Sequence, residues 1–99
     1  MVLTGPATFS SALMAAMTLR DDLQARLVGE PPGERPNSYG EVRQLTLPHS
    51  QLVIQYSTKF FRMDRKGDPA ALEPHVTVSR SIADFLAGRD TVLEAAMRR

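Results

Sequence analysis

The first thirty-odd residues alternate in a way that leaves few folds open. Val2 and Leu3 read as a short strand, stopped by Gly5-Pro6. A mostly apolar stretch from near Ser10 to Leu23 is long enough for a helix, and Ala25 to Gly29 reads as a second short strand. That strand ends in Glu30-Pro31-Pro32-Gly33, a turn by composition. Strand, helix, strand with brief links is a βαβ unit, and such units are overwhelmingly right-handed with parallel strands. The order therefore predicts an α/β fold built on a parallel pair with one helix laid across it.

The helix carries its own detail. Thr8, Ser10 and Ser11 can each act as N-cap, because a hydroxyl accepts from an orphan amide of the first turn. Ala12, Leu13, Met14, Ala15, Ala16 and Met17 are apolar nearly all round, which predicts burial on most sides. The second half is amphipathic, with Arg20, Asp21 and Asp22 outward and Leu19 and Leu23 inward.

Beyond the turn, Glu34 to Glu41 reads as an ordered loop, since Pro36 fixes φ and Gly40 permits unusual φ. Glu41 to Leu47 then alternates, with Leu45 and Leu47 on one face and Gln44 and Thr46 on the other. Pro48-His49-Ser50-Gln51 is a hairpin turn. Gln51 to Met63 alternates again, placing Leu52, Ile54, Tyr56 and Phe60 on one face and Val53, Gln55, Ser57, Lys59 and Phe61 on the other. The pair predicts an antiparallel hairpin with one face buried. Residues 63 to 74 are polar and read as a solvated loop, with Val76 and Val78 as one more short strand.

Two helices close the chain. Ser81-Ile82-Ala83-Asp84 is a capping box with Asp in place of Glu, followed by an apolar stripe of Ile82, Phe85 and Leu86 and a C-terminal Gly88. Asp90 caps a last helix carrying Val92, Leu93, Ala96 and Met97.

Composition narrows the function classes. Ninety-nine residues fit one domain at most. Twelve basic and eleven acidic side chains leave a net charge of +1, which gives no electrostatic case for nucleic acid. Cysteine is absent, so thiolate nucleophiles, disulfides and Cys-based zinc sites are excluded, and the compartment stays open. His49 and His75 do not fall in a metal-ligand spacing. No cofactor is indicated. No apolar run approaches the roughly 18 to 20 residues that cross a bilayer.

Chemistry concentrates between residues 8 and 41. The order places a serine hydroxyl, a turn of backbone amides and the Arg35 guanidinium at one end of a sheet. Ser10 at a helix N-terminus would sit among free amides and the positive dipole end, both suited to an oxyanion; the plainer role for it is an N-cap. The candidate bases are His49, His75, Lys59 and Glu30. His49 belongs in an exposed turn, His75 in a linker, Lys59 beside aromatics in a strand and Glu30 in a solvated turn. Lys59 is the lysine best placed to approach a serine. Tyr39 and Asn37 can fasten their loop to the sheet or hydrogen-bond a substrate.

Phe9-Ser10-Ser11-Ala12, then Leu27-Val28-Gly29-Glu30-Pro31, then Arg35-Pro36-Asn37-Ser38-Tyr39-Gly40-Glu41, occur in an order that resembles the tail-specific (C-terminal processing) serine peptidases. The likeness is nearest to the branch with retinol-binding-protein-like and tricorn-core-like members. Tyr56-Ser57-Thr58-Lys59-Phe60-Phe61, Gly67-Asp68-Pro69, Leu72-Glu73-Pro74 and Gly88-Arg89-Asp90 extend it, so it runs from about Val2 to Met97.

The resemblance implies a crotonase/ClpP-like α/β domain with a nucleophilic serine opening a helix after a strand, paired with a lysine base. The serine position falls on Ser10, with Ser11 second. The lysine position falls on Arg35, whose guanidinium stays protonated and is a very poor base. Position 13 is Leu where the resemblance would suggest Glu, and His75 stands where it would suggest an acid. It further implies that residues 1–99 form a single partial domain, the C-terminal part of a catalytic domain acting on a peptide or protein. The alternative is a non-catalytic remnant that binds peptide or an apolar ligand. A partial α/β unit leaves strand edges and an apolar helix face uncovered, which predicts self-association.

Overall fold

A computed structural model describes residues 1–98. The chain is mixed α/β. In order it forms β1 (Val2–Thr4), α1 (Ser11–Leu23), β2 (Leu27–Gly29), β3 (Asn37–Thr46), β4 (Val53–Arg62), β5 (Val76–Thr77), α2 (Ile82–Leu86) and α3 (Thr91–Met97). The strands make two separate sheets. One is parallel, in the order β1-β2-β5; the other is the antiparallel pair β3-β4.

The parallel sheet is the centre of the molecule, and β2 is its middle strand. Val2, Leu3 and Thr4 pair with Leu27, Val28 and Gly29, and Val28 and Gly29 pair with Val76 and Thr77. Successive side chains of a strand point to opposite faces, and β2 uses both. Leu27 packs with Leu13, Ala16 and Met17 of α1 and with Leu72. Val28 packs with Val92 and Ala96 of α3. The result is three layers, helix on sheet on helix, with a small core on each side. A fully buried aliphatic side chain contributes about 1.5–3 kcal/mol, so Leu27, with no exposed surface, is among the main supports of the sheet.

Gly29 ends β2 at φ +128°. A Cβ there would lie 2.1 Å from the Thr4 carbonyl oxygen and 3.2 Å from Val92. Only glycine lets β1, β2 and α3 approach this closely.

Three expectations need correction. Helix α1 is buried along one stripe, Leu13, Ala16 and Met17, whereas Met14 is 40% and Leu23 70% exposed. Only one layer lies against it, so the remaining apolar positions face outward. The segment 63–74 is not wholly solvated: Leu72 is buried in the α1 core and Met63 packs against it. The polar composition of the segment masked that role, because a single leucine between Ala71 and Glu73 has no period to read. Finally, β3 starts at Asn37, so the loop after the turn is shorter than Glu34 to Glu41.

The hairpin departs furthest from expectation. Its alternation, its antiparallel pairing and its turn are as read, with Leu45 opposite Ile54 and Tyr39 opposite Phe60. Its buried face is missing. From Glu41 to Thr46 and from Val53 to Phe60 every residue is exposed, because no other layer reaches it. The chain spans 58 × 37 × 18 Å, with a radius of gyration of 17.2 Å; a compact chain of this length is near 13 Å. The projecting hairpin accounts for the difference.

At the C-terminus both caps form. Ser81 Oγ accepts from the Asp84 amide at 3.0 Å, and Asp90 Oδ1 accepts from the Leu93 amide at 3.0 Å. Gly88 takes φ +69° just beyond α2. The apolar stripe of α2 does not pack: Ile82, Phe85 and Leu86 are each more than 70% exposed. Among the described residues no helix is long and apolar enough to cross a membrane.

Candidate functional site

The site begins in the link between β1 and α1. Thr8 closes it, accepting from the Gly5 amide through Oγ1 at 3.1 Å and donating its own amide to the Gly5 carbonyl at 2.7 Å. The turn after β2 lies against this link. A Cβ on Gly33 would sit 2.4 Å from the Pro6 carbonyl oxygen. Thr4 Oγ1 donates to the Glu30 carbonyl at 3.0 Å, which ties the two strand ends together. The sequence thus delivers the serine segment and the Pro/Gly turn to the same end of the parallel sheet.

Ser10 sits at the N-cap of α1 with φ 53° and ψ −120°. That conformation is unfavourable for a residue with a Cβ and costs about 1–3 kcal/mol. The hydroxyl makes no capping hydrogen bond, so the plain N-cap role does not account for the strain. Ser10 lies six residues beyond the end of β1, at the last position of the link, and is exposed.

Glu34, from the turn, meets this segment. Its Oε2 accepts the Ser10 amide at 2.6 Å, and its Oε1 accepts the Ser38 hydroxyl at 2.8 Å. The carboxylate therefore joins the head of α1 to the start of β3. A cavity of about 220 Å³ opens here, walled by Ser10, Leu13, Met14, Pro36, Tyr39 and Phe61, with Glu34 and Glu41 also on its lining. Its walls mix apolar side chains with serine hydroxyls, and its charged groups are acidic. Among the described residues no lysine, arginine or histidine lines it.

Arg35 is turned elsewhere. Its guanidinium donates to Asp68 Oδ2 at 3.1 Å, with both side chains more than half exposed. It lines a different hollow, with Asp68, Phe60 and Tyr39. Ser10 and Arg35 are thus not brought together. The residue that does meet the serine segment is Glu34, one position earlier. The sequence carried no signal for it, because adjacent residues in a turn point in different directions and composition does not say which turns inward.

The other candidates separate clearly. Lys59 stands on β4 with its Nζ 5.0 Å from the centre of the Phe61 ring, and Phe61 is a wall of the Ser10 cavity. It is the basic candidate nearest the site by contact, although it is not on the lining. His49 is exposed in the hairpin turn. His75 Nδ1 accepts the Leu27 amide at 3.0 Å and so closes the open start of β2. The Glu30 side chain borders a separate hollow beside Arg80 and Asp90.

Asn37 fastens its loop. It is buried, its Nδ2 donates to the Gly67 carbonyl at 2.9 Å, and its Oδ1 accepts the Asp64 amide at 2.9 Å. Tyr39 does not share that role. It is 72% exposed and meets Phe60 edge-on, ring centres 4.9 Å apart. Among the described residues no group of three or more histidines or carboxylates gathers as a metal-ligand set.

No family model, no curated protein and no solved structure matches this chain.

Proposed function

We propose that this chain carries the nucleophile-bearing part of a serine-type peptidase site of the tail-specific kind, on a partial crotonase/ClpP-like α/β scaffold. The observation that carries the reading is Ser10: a strained residue at the head of a helix, after a strand, with a hydroxyl that caps nothing. The substrate is a peptide or protein chain, whose apolar side chain fits the Leu13, Met14 and Phe61 wall.

Attack by a serine hydroxyl on a peptide carbonyl requires a base to take its proton. Arg35 does not supply one, being permanently charged and engaged with Asp68. Lys59 is the base candidate favoured on this reading, because its amine lies on the Phe61 ring that walls the cavity and a lysine, unlike an arginine, can lose its proton.

A second reading rests on a specific observation: among the described residues, the charged groups on the cavity lining are the carboxylates Glu34 and Glu41. On this reading the chain binds a peptide or apolar ligand without cleaving it. A fluorophosphonate probe separates the two. Covalent labelling at elevated pH that disappears in Ser10→Ala and weakens in Lys59→Ala supports the peptidase reading. No labelling of Ser10, alongside saturable binding of apolar peptides that Phe61→Ala weakens, favours the binding role instead.

A further inference from the structure

Strand β4 is exposed along nearly its whole length. Its ten residues pair with β3 on one side, and among the described residues no strand lies beside its other edge. Free strand edges are normally blunted by proline, glycine, clustered charge or a kink. β3 has such devices: Gly40 is followed by Glu41 at φ +54°, a break in the middle of its edge. β4 has none. Val53-Ile54-Gln55-Tyr56-Ser57-Thr58-Lys59-Phe60-Phe61 contains no proline, no glycine and one charge, and every residue of it except Phe61 is exposed. A two-stranded hairpin standing alone in water is at best marginally stable. It gains most from strands added at its edge.

β4 is also complementary to itself. A two-fold axis perpendicular to the hairpin and passing through Ser57 would lay β4 antiparallel to a second β4. Directly opposite residues would then be Val53 with Phe61, Ile54 with Phe60, Gln55 with Lys59, Tyr56 with Thr58, and Ser57 with itself. Each pair keeps its side chains on a common face, as antiparallel strands require. Three are aromatic with β-branched, a stabilising cross-strand combination, and none sets like charges against each other.

We infer that the outer edge of β4 is a self-recognition surface, through which two copies of this chain join their hairpins into one four-stranded antiparallel sheet with Ser57 on the two-fold axis. The contact is isologous and consumes both β4 edges. The outer edges of the resulting sheet are the two β3 strands, where the break at Glu41 opposes further addition, so assembly stops at the dimer. Tyr39, Tyr56, Phe60, Leu45 and Ile54 would then share one face of the four-stranded sheet, with Arg43 opposite Tyr56 on the same face.

The test places charge on the axis. In one copy Ser57 lies opposite Val42 and is exposed, so Lys or Glu there remains solvated within the hairpin. In the dimer it meets its own counterpart. Sedimentation equilibrium of the full chain is expected to give a dimer, with Ser57→Lys and Ser57→Glu each weakening dimerisation roughly tenfold or more through like-charge contact. An equimolar mixture of the two variants is expected to regain dimerisation as a heterodimer. Because the chain has no cysteine, Ser57→Cys is expected to oxidise to a covalent dimer; opposed antiparallel residues lie within disulfide reach. The inference is overturned if the unmodified chain is monomeric up to millimolar concentration. It is equally overturned if both charged variants dimerise as well as the parent, if their mixture regains nothing, or if Phe85→Ser on the exposed stripe of α2 abolishes the dimer while the Ser57 variants do not.

Discussion

The Glu34 carboxylate accepts the backbone amide of Ser10 at 2.6 Å, across twenty-four residues of chain. This contact defines the site. It meets the first residue before α1, which stands at φ 53° and ψ −120°, and occupies the Ser10 amide with a fixed anion. Any carbonyl presented to the Ser10 hydroxyl must therefore find its polarising amides elsewhere in the first turn.

Ser10 stores strain that glycine would release. Glycine reaches φ 53°, ψ −120° freely. Relief of about 1–3 kcal/mol of strain, less the greater unfolded-state freedom of glycine, leaves Ser10→Gly more stable than the parent by about 1 kcal/mol. Ser10→Ala keeps the Cβ and gains nothing comparable. Urea unfolding of the three proteins measures the difference. Equal stability of the glycine and alanine variants would show that the residue is unstrained.

Arg35→Lys tests the base position directly. The Arg35–Asp68 pair is exposed, and such pairs contribute about 0–1 kcal/mol, so the substitution barely alters stability. Because the side chain lines a different hollow from Ser10, fluorophosphonate labelling is expected to stay at the parent level. A rise in labelling would place position 35 in reach of the serine.

Gly29→Ala is expected to be severe. The added methyl meets the Thr4 carbonyl oxygen at 2.1 Å while φ is +128°, and the strand has no slack because Leu27 and Val28 are locked into opposite cores. A loss above about 4 kcal/mol, or failure to fold, follows from strain at a special backbone position. Thermal unfolding by circular dichroism checks it.

Acid loosens the C-terminal helices first. Arg89 bridges α2 to α3, donating to Asp84 at 3.1 Å and to Glu94 at 2.6 Å. The Ser81 hydroxyl chiefly holds the Asp84 carboxyl below its ordinary value, and Arg89 chiefly holds that of Glu94 below its own. A depressed carboxyl contributes stability that is complete above its unfolded pKa and is lost as pH falls through the folded one. The bridge should therefore hold at neutral pH and fail below about pH 4. Amide protection at Phe85 and Leu93, taken relative to the intrinsic exchange rate at each pH from 6 to 2, is expected to fall there before that of β2, and less so in high salt. Protection that falls uniformly along the chain would argue against a local bridge.

Much of the fold was legible because it depends on neighbours in sequence. The βαβ unit followed from apolar runs broken by Gly5-Pro6 and Pro31-Pro32-Gly33. The hairpin followed from period-two alternation, and both C-terminal caps from Ser81 and Asp90. Those signals act over a few residues. The candidate site was half legible in the same sense: Ser10 lies where the helix start put it, but Glu34 and not Arg35 meets it.

What the amino-acid order determined by itself is the set of elements, their direction and the residue at the head of α1. Alternation and capping are local, and they report which way a segment folds. They do not report what lies against it. Only the tertiary structure decided that Leu72 is core, that the hairpin and the α2 stripe are bare, and that the cation turns away while the carboxylate beside it turns in. Each of these depends on which layer reaches a given face. A chain of ninety-nine residues has too few layers to cover every apolar face that its pattern presents.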